Sequence, residues 1–279
     1  MKKFLSITLI ATMTAALFIG CAKKENTAGE TDIVAAVKKS DTIAAKLPDN
    51  IKSAKKLAIG LDANYPPMEF KDENGNLVGF DVDLGNAIGK KLGVEIAWTS
   101  TEWDGIILSL QTKKFDMLLS TLSITDERKK EIGFSEPYQQ GGPVVIVKKG
   151  STAVKSATDF TDKVIGVQLG TTGDEAVTAL KGLKEVKRYN KITEALQDLG
   201  TGRIAAVVAD DQVGRYYVGL EGGKFEVVNK MENEPIGIGF RKEDTALTAA
   251  VQAAIDELKS EGTLSKISQK WFKEDVYKK

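Results

Sequence analysis

Arg128 offers the most specific chemistry in this chain. Its guanidinium is a planar fork that matches a carboxylate with two parallel hydrogen bonds. It follows Ser120-Thr121-Leu122-Ser123, read as a strand end, and a helix start at Thr125-Asp126, where hydroxyls and unpaired backbone N–H groups gather. The bland alternative is a surface arginine in the run Asp126 to Lys130, paired with solvent and neighbouring acids. Gly170-Thr171-Thr172-Gly173 lies between a strand and a helix, so its amides attract an anion, unless it is an ordinary turn. Asp210 ends the apolar run Ala205 to Ala209. That is the address of ligand-facing residues in open α/β sheets, although such an Asp also serves as a helix cap.

What the sequence lacks narrows the chemistry. Histidine is absent, which removes Ser-His-Asp and Cys-His nucleophile systems, HExxH metal sites and the usual general base. Neither GxxxxGK[ST] nor GxGxxG occurs. Lys plus Arg number 39 against 39 Asp plus Glu, a balance that argues against nucleic acid as partner. With a single cysteine there is no disulfide framework, so a core must hold the fold.

The elements that must position these groups alternate between the two periodicities. Lys56 to Leu61 reads as a strand, and a hairpin turns at Asn74-Gly75-Asn76. Asp81 is expected to cap a helix with Val82, Leu84, Ile88 and Leu92 on one face and Gly93 beyond its end. Val94 to Trp98 is a strand, Asp104 to Thr112 a helix and Met117 to Leu119 a strand. A second round follows Gly141-Gly142: strands at Pro143–Val147, Val164–Val167, Glu185–Tyr189, Ala205–Ala209 and Phe225–Val228, with helices running to Leu180, over Ile192–Leu199 and from Asp211. Pro235 to Phe240 is a further strand; Ala246, Ala250, Val251, Ala254, Ile255 and Leu258 then make a long helix, and Trp271-Phe272 closes the chain. Two α/β lobes in series are predicted. A short helix over Ile33 to Leu47, ended by Pro48, would bury Ile33, Val37 and Ile43 against the body.

The N-terminus reads as an export signal: Met1-Lys2-Lys3, then an apolar run from Phe4 to Ile19 that stops at Gly20-Cys21. A small residue before a lone cysteine is the pattern of a lipoprotein processing site, so residues 1–20 are expected to be removed and Cys21 acylated. The alternative is ordinary signal cleavage, leaving Cys21 a free thiol. Residues 21–50 are expected to form an anchored tail and linker.

An ordered series of short motifs then resembles one known family. Leu61-Asp-Ala-Asn-Tyr-Pro-Pro-Met-Glu-Phe70, Gly79-Phe-Asp-Val-Asp-Leu84, Trp103-Asp-Gly-Ile-Ile107, Leu122-Ser-Ile-Thr-Asp-Glu-Arg128, Phe134-Ser-Glu-Pro-Tyr138, Gly170-Thr-Thr172 and Val208-Ala-Asp210 succeed one another as in the extracellular solute-binding proteins of polar amino acid ABC transporters. The resemblance runs from about Lys55 to the end. It implies a type II-like periplasmic-binding-protein fold, with lobe 1 at 51–141 plus 236–279 and lobe 2 at 142–235. The chain would cross a hinge near Gln139–Val145 and again near Asn233–Gly237.

A free amino acid carries a carboxylate and an ammonium on one carbon, so its site needs a fixed cation and a fixed anion a few ångströms apart. By resemblance Arg128 grips the carboxylate, helped by Ser123 and by the Thr171-Thr172 turn, where the Thr172 amide is the contact. Asp210 takes the ammonium, with Ser120, Thr121 and Ser123 beside it. Tyr65 and Trp103 hold positions where the family puts rings around the ligand side chain, unless they merely pack. Asp62 matches the acid that meets a cationic side chain in basic-amino-acid binders, or else it caps the Tyr65-Pro66-Pro67 turn. The ligand expectation is arginine or lysine first and a neutral polar amino acid such as glutamine second. Neither a cofactor nor a metal is implied. The implied partners are a free L-amino acid, the permease subunits and a membrane through the lipid anchor, for a monomer that does not bind nucleic acid. Two other readings compete: a sensory lipoprotein that binds without transport, and a dehydratase-type enzyme using Asp62, Glu69 or Glu102 as its acid.

Overall fold

The structure is a computed structural model, and it describes residues 33–220 and 223–278. The expected signal and Cys21 lie outside the described residues. From Ile33 onward the chain is not a free linker. The helix foreseen over Ile33–Leu47 is confined to Asp41–Ala44, and a second helix, Asp49–Ala54, starts directly after Pro48. Proline fixes a φ suited to a helix start, so Pro48 caps the second helix, the first having already ended at Ala44. Ile43, Leu47 and Ile51 are buried, while Ile33 and Val37 are only partly so.

Two main sheets organise the rest. The first has the strand order Glu95–Ser100, Lys56–Leu61, Met117–Ser123, Glu234–Phe240, Gly133–Phe134, and Gln139–Gly141 also pairs with Glu234–Phe240. Its first three strands are parallel, and Glu234–Phe240 runs against them. The second has the order Glu185–Tyr189, Val164–Gln168, Ala206–Asp210, Pro143–Lys148, Phe225–Lys230, and its first three strands are parallel. A small antiparallel sheet, Asn64–Tyr65, Glu69–Lys71 and Leu77–Val78, carries the Asn74-Gly75-Asn76 hairpin. The central strands read as near-continuous apolar runs because helices cover both faces. Val144 to Val147 and Ala206 to Val208 are fully buried.

The helix Phe80–Leu92 corrects one expectation. Its N-cap is Gly79, not Asp81. Gly79 sits at φ +139°, and a Cβ there would lie 2.1 Å from the Met68 carbonyl oxygen, so only glycine lets the chain turn so close to its neighbour. Asp81 therefore falls inside the first turn, pointing into the protein. Leu84, Ile88 and Leu92 are buried as the 3.6 period requires, and Gly93 at φ 71° ends the helix. At the other end of the chain, the long helix Thr245–Ser260 is followed by another, Thr263–Phe272, that burial of Leu264 and Ile267 holds in place. Its last ring, Phe272, stacks on Phe80 at 5.0 Å between centroids, which ties the C-terminus to the start of helix Phe80–Leu92.

Candidate functional site

Parallel strands of both sheets point their carboxyl ends toward one another, and one cavity lies between them. Every residue expected to bind the amino acid lines it, and Glu69 and Gln168 join them. On the first sheet, Lys56–Leu61 runs straight into Asp62. Met117–Ser123 supplies Ser120, Thr121 and Ser123. Its pairing with Glu234–Phe240 slips between Gly237 and Gly239, opposite Leu122 and Leu118, and Thr121 sits at φ 47°. A bulge of this kind re-aims side chains at a strand end. On the second sheet, Val164–Gln168 leads to the Gly170–Thr172 turn, and Ala206–Asp210 ends at Asp210.

Arg128 is carried in the first turn of helix Asp126–Glu131, whose N-cap Thr125 accepts the Arg128 N–H. The surface alternative does not hold: Arg128 is only 8% exposed. Its Nη1 donates to the Ser123 carbonyl at 3.0 Å and its Nη2 to the Gly170 carbonyl at 3.4 Å, across the two sheets. The guanidinium carbon stands 5.4 Å from the Trp103 ring centroid. Trp103 packs against the cluster of Ile106, Leu110 and Phe115 and also donates to the Gly170 carbonyl at 3.0 Å, so this ring does more than pack. Burial pulls the Arg128 pKa down, against nearby acids led by Glu175 and Asp210, and the group remains charged.

Asp210 receives the Tyr65 hydroxyl at 2.7 Å, another bond from one sheet to the other. Loss of water raises its carboxyl to about 6, opposed by the Tyr65 hydrogen bond and assisted by the Glu234 charge. Thr171 caps helix Thr172–Thr178 by accepting the Asp174 N–H, as a strand-to-helix turn should. The Thr172 hydroxyl donates to Glu234 at 2.9 Å.

Asp62, 2% exposed, accepts from Gln168 Nε2 at 2.7 Å and from Asn64 Nδ2 at 3.2 Å, and burial raises its pKa. It therefore faces the cavity and also holds the adjoining turn. Its N–H donates to Ser120 Oγ at 3.0 Å, and Ser120 in turn donates to Glu69 at 2.7 Å. Glu69 and Gln168 were not singled out as ligand groups from the sequence. Gln168 carried the same signal as Asp210, a polar residue ending an apolar strand, and Glu69 stood between Met68 and Phe70 in the same motif as Tyr65. Glu102 is exposed and does not line the cavity.

Two α/β lobes facing each other across a cleft that pairs a buried guanidinium with buried carboxyls define a solute-binding protein. The family model for bacterial extracellular solute-binding proteins, family 3, matches residues 57–274, and the chain belongs to that family. The L-cystine-binding protein TcyJ of Escherichia coli strain K12 is 36% identical over 234 residues, 83% of this chain and 88% of the relative. A truncated, arginine-bound form of ArgBP from T. maritima is 43% identical with a TM-score of 0.72, covering 76% of this chain and 100% of that one. An ancestral amino acid-binding protein, AncCDT-1, a precursor of cyclohexadienyl dehydratase, is 40% identical with a TM-score of 0.75, covering 80% of this chain and 98% of that one. The fold is the type II periplasmic-binding architecture of these extracellular solute-binding proteins. The family consists predominantly of non-catalytic binding proteins, with an enzyme's precursor among the relatives.

Proposed function

We propose that this protein captures a free cationic amino acid, arginine or lysine, and delivers it unchanged to the permease. The observation that carries this reading is the charge of the cleft. The carboxyls of Asp62 and Asp210 line the cavity, and Arg128 is the one basic residue among its lining residues. Arg128 and the Thr171-Thr172 amides take the ligand carboxylate and Asp210 takes the ammonium, with Ser120, Thr121 and Ser123 around them. Asp62 is then left for a positive charge at the far end of a side chain flanked by Tyr65 and Trp103. The arginine-bound ArgBP supports this choice.

Lobe 1 comprises 51–141 and 236–279, lobe 2 comprises 142–235, and the lobes close about the paired segments Gln139–Gly141 and Glu234–Ile236. A ligand touching both lobes favours the closed form by its differential affinity. Closure is what the permease reads. No step of this cycle alters the ligand, so the protein acts as a binder and not as a dehydratase.

A calorimetric panel of amino acids tests the ligand class. Arginine or lysine should bind best, and Asp62→Asn should cost each about 1 to 3 kcal/mol, the worth of a charge-assisted hydrogen bond, while sparing glutamine. Glutamate binding best, or Asp62→Asn leaving arginine and lysine untouched, would remove the cationic reading.

The mature protein is proposed to be a monomer that starts at Cys21 and is held to the membrane by acylation, with more than one chain because a single one anchors only marginally. Mass spectrometry of the exported protein should show Cys21 modified and N-terminal. An unmodified Cys21, or a start elsewhere, would refute the anchor.

A further inference from the structure

Behind the cleft lie two acids that the binding scheme leaves idle. Glu69 and Asp81 are both 0% exposed, and they face each other closely enough to share a proton, with the Thr121 hydroxyl 3.5 Å from Glu69 and 3.4 Å from Asp81. Among the described residues, the groups packed on them bring no positive charge. Strand Met117–Ser123 contributes the Ser120 hydroxyl to Glu69 at 2.7 Å and the Thr121 N–H to Asp81 at 2.8 Å. The Tyr138 hydroxyl, one residue before the Gln139–Gly141 segment, donates to Asp81 at 2.8 Å. Asp62 adds a negative charge near Glu69, Tyr65 faces it from the next strand, and Tyr277 approaches Asp81 from the C-terminal tail. Burial and these neighbours hold all three tyrosines protonated, since each is pushed above its ordinary range.

Two dry carboxyls in contact cannot both ionise without a cation, because each charge disfavours the other and water is missing from both. One proton is therefore kept between them. Burial first, and the Asp81 charge second, push Glu69 well above the usual carboxylate range. Glu69 also lines the cavity, so that proton lies next to whatever enters.

We propose that the Glu69–Asp81 pair is a proton-exchange site of the cleft: a ligand with a cationic side chain expels the shared proton, and a ligand with a neutral side chain leaves it in place. The balance is simple. The protonated pair plus the cationic ligand gives two carboxylates, the bound cation and one proton released to solvent. No bond other than O–H breaks. The preference for cationic over neutral ligands then grows as pH rises, because expelling the proton becomes easier. This inference rests on the cationic-ligand reading above.

The test is calorimetry of the full chain with L-arginine over a series of pH values above about 7, in buffers of different ionisation enthalpy. Asp210, with its carboxyl at about 6, is already ionised there and contributes nothing. The apparent enthalpy should vary with buffer by about one released proton per arginine, and affinity should rise by up to about tenfold per pH unit. L-glutamine carries the same α-groups and should show neither dependence. Glu69→Gln, which keeps an acceptor for Ser120 and a donor for Asp81, should abolish both for arginine. Arginine binding with no buffer dependence overturns the exchange and spares the ligand reading. Arginine failing to bind overturns both. The wild-type buffer series needs no variant, so it decides the matter even where Glu69→Gln fails to fold.

Discussion

Arg128→Ala lowers affinity for the amino acid by about 2 to 5 kcal/mol. That range is the cost of truncating one member of a desolvated, hydrogen-bonded charge pair, because the opposite charge is left buried without a partner. Here the ligand carboxylate would be the stranded group, with only backbone amides and hydroxyls around it. The side chain makes its contacts to the Ser123 and Gly170 carbonyls and the Trp103 ring at the meeting of the two sheets, not in the core of either. Helix Asp126–Glu131 keeps its Thr125 cap. The variant should therefore fold, with a melting transition close to wild type, and fail in calorimetry. Wild-type affinity would place the site elsewhere.

Asp210→Asn should have an effect of similar size, about 2 to 5 kcal/mol, with a pH signature of its own. The ligand ammonium needs the carboxylate form. With the carboxyl raised to about 6 by burial, the unliganded protein takes up a proton there as pH falls through that value. Affinity for every amino acid, cationic or neutral, should then drop by up to about tenfold per pH unit below about 6, and for neutral amino acids it should level off above that value. Asn cannot titrate, so the variant should bind weakly at all pH values with no such fall. A calorimetric series from about pH 4.5 to 7.5 on both proteins checks this. A variant that keeps the acid fall would assign the titration to another group. The Glu69–Asp81 pair acts for cationic side chains alone, so glutamine reports the Asp210 dependence by itself.

Much of this was legible because strands and helices announce themselves locally. Lys56–Leu61 and Glu185–Tyr189 begin and end where alternation and turn residues place them. The ordered motifs were enough to bring Arg128, Asp210 and the Gly170–Thr172 turn to one cavity. The errors arose where a non-local contact outranks a local preference. Asp81 looks like a cap because acids favour first turns, yet its carboxyl is claimed by Tyr138 and Thr121, and the turn geometry falls to Gly79. Helix Thr263–Phe272 was missed although Leu264, Ile267 and Trp271 repeat at helical spacing. The glycine before it, Gly262 at φ 73°, merely separates two helices instead of ending the fold. Glu69, Gln168 and Glu234 could not be assigned from spacing, since their partners Asp81, Asp62 and Thr172 come from other elements.

The placement of Glu234–Phe240 bears on how the chain is made. That strand lies between Met117–Ser123 and Gly133–Phe134 in the first sheet, yet the second sheet's segments are all synthesised before it. A ribosome-bound chain that has emerged only to Lys230 holds every strand of the second sheet, while the first still lacks its inner member. The order in which domains emerge sets the order in which they can fold. The inserted lobe can therefore close first. The earlier-made lobe must wait, its edge at Met117–Ser123 unpaired, until Glu234–Phe240 has emerged.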